Sequence, residues 1–143
     1  MTEQEFTSEQ LYEQAQGNLT AFILGTIAYL KEQGPALEEW VSFMGNQFVP
    51  AWESVKGQGA KSAMNSVVLN FVSGGGGLQS LTEDDTQAEA VVADWPSAND
   101  LEFFGLTRED VDPFYDIFKP IAAYLNLRYE WRRDGSQVTF RFW

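Results

Sequence analysis

The sequence predicts an α+β fold: N-terminal helices packed on a small antiparallel sheet of about four strands, with a helix before a C-terminal hairpin. Three observations carry this. Apolar residues recur at helical spacing through the first half of the chain. The pattern changes to alternation after the glycine run Ser73–Gly77. The last seventeen residues, LRYEWRRDGSQVTFRFW, alternate about an Asp-Gly turn signal. The 143 residues suit one domain, with a helical part over 7–73 and a strand–helix–hairpin part over 78–143.

The first helix starts at Thr7, an N-cap with Gln10 at N3 as in a capping box and Phe6 and Leu11 in the staple positions. Leu11, Ala15, Leu19, Phe22, Ile23, Ile27 and Leu30 follow at helical spacing. Ala21, Leu24 and Ala28 broaden the stripe, so the second half of this helix is expected to be buried on most sides. Gly34-Pro35 ends it and starts a second helix with Leu37, Trp40, Val41, Met44, Phe48 and Trp52 inward and a bend or break at Pro50. A third helix is expected over 60–72, with Met64, Val67, Val68 and Phe71 inward.

LQSLT and TQAEAVVADW read as an antiparallel pair around the acidic turn Glu83–Asp85. SANDLEFFG is a connection with one helical turn. The last helix repeats the first one's start, with Thr107 as N-cap and Leu106 and Val111 as staple; Phe114, Ile117, Phe118, Ile121 and Leu125 form its buried stripe, and Pro120 is expected to kink it. In the hairpin, a type I′ turn at Asp134-Gly135 would set Trp131 against Val138, Tyr129 against Phe140 and Leu127 against Phe142 on the core face. That register places Arg128 opposite Arg141 on the outer face. Such a like-charge pair needs an offset, from carboxylates of this chain or of a second copy, or from a bound anion.

Net charge is −12, with 21 acidic and 9 basic residues, which argues against a broad nucleic-acid surface. The hairpin departs from this balance, carrying Arg128, Arg132, Arg133 and Arg141 against Glu130 and Asp134. The chain has no cysteine and no histidine. This excludes disulfides, Cys/His zinc sites, haem held by those residues, and catalysis by cysteine or a Ser-His-Asp triad. No cofactor or metal is indicated. The polar, acidic start does not read as a signal peptide, and the longest apolar stretch, LTAFILGTIAYL, is short for a membrane span, so a cytoplasmic protein is expected. SGGGG lacks the Lys-Ser/Thr of a phosphate loop and reads as a hinge or helix C-cap; EDDT lacks the ligand pattern of a calcium loop and reads as a solvated turn.

Aromatic residues make up 15% of the chain, enough for a bulky core or a pocket wall. Trp40, Trp52, Phe118, Tyr129 and Trp131 are the wall candidates, and Arg128 and Arg141 would clamp an anion. The order of strand pair, helix and closing hairpin over Leu78–Trp143 resembles the small-molecule-binding domains of the 4-vinyl reductase type, whose wider group includes Bet3-like subunits. The cysteines that many such domains carry near their end are absent here, so no functional residue is carried across. The resemblance implies helices on a sheet, an apolar pocket and a dimer. Three functional readings follow. One is a non-catalytic sensor or carrier of a small, largely apolar, possibly anionic ligand. Another is a homodimeric interaction domain using the outer hairpin face with Arg141 and Trp143. A third is an acidic decoy of a nucleic-acid-binding protein.

Overall fold

The computed structural model describes residues 5–143; residues 1–4 of the expected domain lie outside the described residues. Helices α1 (Ser8–Leu30), α2 (Ala36–Phe48) and α3 (Gly59–Ser73) come first, with a 3₁₀ segment, Val49–Val55, between α2 and α3. Strands β1 (Gly77–Glu83) and β2 (Ala88–Ala93) follow, then α4 (Ala98–Phe104), α5 (Arg108–Val111), a second 3₁₀ segment (Asp112–Ile117), α6 (Phe118–Tyr124), and strands β3 (Tyr129–Asp134) and β4 (Gln137–Phe142). The four strands form one antiparallel sheet in the order β1-β2-β4-β3. No helix of the described residues is long and apolar enough to cross a membrane.

Local chemistry sets the element ends. The Thr7 hydroxyl accepts from the Gln10 amide at 3.1 Å while Gln10 Oε1 accepts from the Thr7 amide at 2.8 Å, so the capping box is closed on both sides. Thr107 and Asp110 repeat it at α5. The Thr107 amide, with Lys31 at 3.3 Å, holds the Asp110 carboxyl below the usual range. In the glycine run, Gly75 takes φ 102°, and the amides of Gly75 and Gly76 donate to the carbonyls of Val72 and Phe71, closing a Schellman motif on α3. Asp84 Oδ1 accepts from the Thr86 amide, the Thr86 hydroxyl and the Gln87 amide, which makes the acidic segment a self-contained turn.

One face of the sheet carries the core. Ala88, Ala90 and Val92 of β2 and Val138, Phe140 and Phe142 of β4 are buried there. The alanines leave room for α3 to approach, and its inward side is Ala60, Ala63, Met64, Val67 and Phe71. Phe71 stacks on Phe140 with ring centroids 4.8 Å apart. The other sheet face carries Glu89, Arg132, Thr139 and Arg141.

Three expectations are corrected. First, α1 buries Thr20, Leu24 and Ile27, while Leu11, Leu19 and Phe22 of the expected inward stripe are exposed. The helix is apolar on two sides and the domain covers one. Likewise α2 buries Leu37, Val41 and Gly45 and leaves Phe48 exposed. Second, the helix after Thr107 is not one kinked rod. Pro113 and Pro120 each lack an amide donor, and the chain passes from α5 through a 3₁₀ segment to α6. α4 is also longer than the single turn expected, capped by the Ser97 hydroxyl. Third, the hairpin register is shifted by two residues. Asp134 pairs with Gln137, and the turn is Gly135-Ser136. Gly135 has φ 58° while Ser136 is not in the left-handed region, the pattern of a II′ rather than a I′ turn. A shift of two keeps every side chain on its expected face. It replaces the Arg128–Arg141 pair with Glu130 opposite Arg141, and sets Arg128 against Trp143 through backbone hydrogen bonds of 2.8 and 3.2 Å.

Candidate functional site

An apolar groove of about 470 Å³ lies between α1, the first 3₁₀ segment, α3 and the 114–121 stretch. Each wall comes from a different part of the chain. α1 contributes Leu19 and Ile23 from the flank beside its buried side. The first 3₁₀ segment follows α2 at Val49, with Pro50 in its first turn, and brings both Ala51 and the buried Trp52 to the groove. α3 supplies Ser66, Leu69, Asn70 and Phe71. Phe114, Ile117, Phe118 and Ile121 close the far side. Trp95 reaches the floor because α3 ends in glycine: a Cβ on Gly74 would stand 2.8 Å from Trp95 Nε1 and one on Gly76 would stand 3.1 Å from Trp95 Cβ. The glycine run is therefore both the stop of α3 and the seat of an indole.

Every residue lining the groove is uncharged. Its polar groups are the hydroxyls of Ser54 and Ser66 and the Asn70 amide, whose Nδ2 donates to the Ser66 carbonyl at 2.9 Å and leaves Oδ1 as an acceptor. The floor is buried aromatic surface, and the rim includes Leu19 and Leu69, which are 50% and 69% exposed. Such a volume lies within the range of small-molecule sites, about 300–1,000 Å³, and has their composition: apolar walls with a few neutral polar groups.

Of the residues expected from sequence, Trp52 and Phe118 line this groove, edge to face at 6.1 Å. Trp40 stands behind it, stacked on Phe114 at 6.4 Å. Tyr129 and Trp131 hold the hairpin to the rest of the core. The Tyr129 hydroxyl donates to the Tyr115 carbonyl at 2.7 Å, and Trp131 Nε1 donates to Asp116 Oδ1 at 2.8 Å. Arg128 and Arg141 are not brought to the groove. Arg141 lies on the outer sheet face between its cross-strand neighbours Glu89 and Glu130, 3.4 Å from the Glu130 carboxylate and with its guanidinium 4.5 Å from the centre of the Trp143 ring. Arg133 donates to Asp112 from Nε and Nη2, at 2.6 and 3.1 Å. Arg133 and Arg141 thus meet carboxylates of their own chain.

Four aromatic groove residues, Phe48, Phe71, Trp95 and Phe114, were not among the wall candidates, and two of them, Phe71 and Trp95, form the floor. Both were legible as inward-facing or strand-ending residues, but the close approach that joins them depends on Gly74 and Gly76, and nothing in local spacing reports it.

Beside the groove, burial pushes the hydroxyls of Tyr115 and Tyr129 well above the usual tyrosine range, and the nearby carboxylates of Asp112 and Asp116 add to this. The Tyr115 hydroxyl donates to the Trp95 carbonyl at 3.3 Å and thereby supports the floor. A folded pKa above the unfolded value, about 10, gives stability that is complete below pH 10 and is lost as pH rises through the folded value. Alkaline titration should therefore show two of the five tyrosines ionising only in the unfolding step, with their phenolate absorbance rising as near-UV dichroism disappears. Ionisation of all five before unfolding would contradict this placement.

No known protein family matches the chain, and comparison with curated protein sequences finds no match. The functional reading rests on the groove itself.

Proposed function

We propose that this chain is a non-catalytic binding module, a sensor or carrier whose groove takes an uncharged, largely apolar small molecule. The observation that carries the reading is the cavity of about 470 Å³, walled by aromatic and aliphatic side chains and free of charged lining. Neutral hydroxyl and amide groups at Ser54, Ser66 and Asn70 suit a ligand with a single hydroxyl or carbonyl. The anionic form of the ligand loses its support, because the arginines that would clamp it lie on the other face of the sheet.

The test uses a pair of fluorophores that differ by one charge. N-phenyl-1-naphthylamine is neutral; 8-anilino-1-naphthalenesulfonate adds a sulfonate to the same rings. The neutral dye should bind saturably, with energy transfer from Trp52 and Trp95, and at least about 10-fold more tightly than the sulfonate, since a buried unpaired charge is costly. Ala51→Trp, which fills the groove from an exposed backbone position, should remove this binding without unfolding the protein. Equal affinity for both dyes, or a fully active Ala51→Trp variant, would contradict the reading.

A further inference from the structure

We propose that two copies of this chain associate through the outward side of α1, the two helices packed antiparallel about a two-fold axis. This goes beyond the ligand reading and does not depend on it.

Leu11, Ala15, Asn18, Phe22, Thr26 and Tyr29 recur at spacings of three and four on the side of α1 opposite Leu24. Phe22 is 77% and Tyr29 71% exposed. Such a stripe, sustained along a helix, is the pattern of a helix–helix seam. The N-terminal half of α1 also stands free. From residue 5 to residue 19 every residue except Gln16 is exposed. A helical stretch this short is marginal in water without tertiary packing.

Charge identifies the occupant as a second copy. Residues 14–30, QAQGNLTAFILGTIAYL, include no charged side chain, in a chain with 21 acidic and 9 basic residues. A two-fold contact sets the same patch of each copy against itself. On an acidic surface, that places carboxylate against carboxylate. The α1 stripe is a face on which two chains of net charge −12 can meet without this penalty. Residues 14–30 offer no charged group by which a foreign partner would be drawn in and selected. Antiparallel packing sets Leu11 of one copy near Tyr29 of the other, with Asn18 and Phe22 beside the axis, and brings opposite ends of the helix dipoles together.

The 23-residue helix is roughly 35 Å long. A seam of that length supplies roughly half of the 800 Å² per partner typical of a stable interface. Phe103 of α4, 81% exposed, extends it, because Phe104 packs within 3.6 Å of the Cβ position of Gly25 and holds α4 beside α1. A dimer of micromolar affinity is the expected outcome.

Sedimentation velocity of the full chain from about 1 to about 200 μM tests this. Wild type should pass from monomer to dimer over that range. Phe22→Glu, at an exposed position, should weaken association by about 30-fold or more with an unchanged circular dichroism spectrum. The chain has no cysteine, so Asn18→Cys introduces a single thiol, which a short bismaleimide should link to its mate in the other copy. A monomer at the highest concentration would overturn the proposal. So would a dimer that survives Phe22→Glu and is broken by Arg141→Ala with Trp143→Ala, which would move the contact to the hairpin face.

Discussion

Replacing Phe71 by alanine is expected to destabilise the domain by about 3–5 kcal/mol, a large share of the 5–15 kcal/mol that holds a typical domain together. Phe71 is the point at which the helical part meets the sheet. Its ring stacks on Phe140 at 4.8 Å, meets Trp95 edge to face at 5.1 Å, and lies 5.9 and 6.0 Å from Phe118 and Tyr115. Truncation removes the ring's burial and leaves a cavity that four neighbouring aromatic rings cannot readily fill. The cavity cost is what sets this site apart from an exposed aromatic such as Phe103, where the same change should fall within about 0.5 kcal/mol. Urea denaturation of both variants separates the two. A loss below about 1.5 kcal/mol at Phe71 would mean that α3 does not sit on the sheet as described. Because Phe71 also lines the groove floor, a variant that stays folded should bind the neutral dye more weakly.

Gly45→Ala should also destabilise the protein, although alanine is the better helix former by about 1 kcal/mol. Gly45 is buried in the last turn of α2, where that helix crosses the 112–124 stretch. A Cβ there would stand 2.5 Å from the Ile117 carbonyl oxygen and 2.6 Å from Pro120 Cγ. One neighbour is backbone and the other a ring, so neither can swing aside and the two segments must separate. Overpacking of this kind costs about 1–3 kcal/mol and outweighs the gain in propensity. Gly17→Ala is the control. Nothing lies within 4 Å of its Cβ position, so it should stabilise α1 by up to about 1 kcal/mol. Opposite signs for the same substitution in two helices are the expected result. A stabilising Gly45→Ala would refute the close crossing, and with it the position of Ile117 and Phe118 at the groove.

The fold class was legible because it depends on local signals. Thr7 with Gln10 and Thr107 with Asp110 are complete start signals, and both capping boxes form. The hairpin's alternation set the face of every side chain correctly, while its register slipped by two residues because Asp134-Gly135 and Gly135-Ser136 are both acceptable turns. The observed register sets Trp131 against Phe140 and Tyr129 against Phe142, and local turn chemistry alone does not select it. The groove was legible only in part. Trp52 and Phe118 could be named from their spacing on apolar stripes. Trp131 could not be told from a wall residue, because its role depends on a hydrogen bond to Asp116, fifteen residues away. The exposure of Phe22 was hidden for the same reason. Periodicity shows that α1 is apolar on two sides, and it does not show which side the rest of the chain covers.

Methyl NMR of the isoleucine, leucine and valine side chains during titration with N-phenyl-1-naphthylamine would locate the ligand directly. Ile23, Leu69, Ile117 and Ile121 line the groove, whereas Val91 lies on the outer face of the sheet. The groove methyls should shift together and saturate with one equivalent of dye while Val91 stays unchanged. Shifts centred on Val91 and the hairpin's outer face, or a saturable dye signal that leaves the four groove residues unmoved, would contradict the assignment of this groove as the binding site.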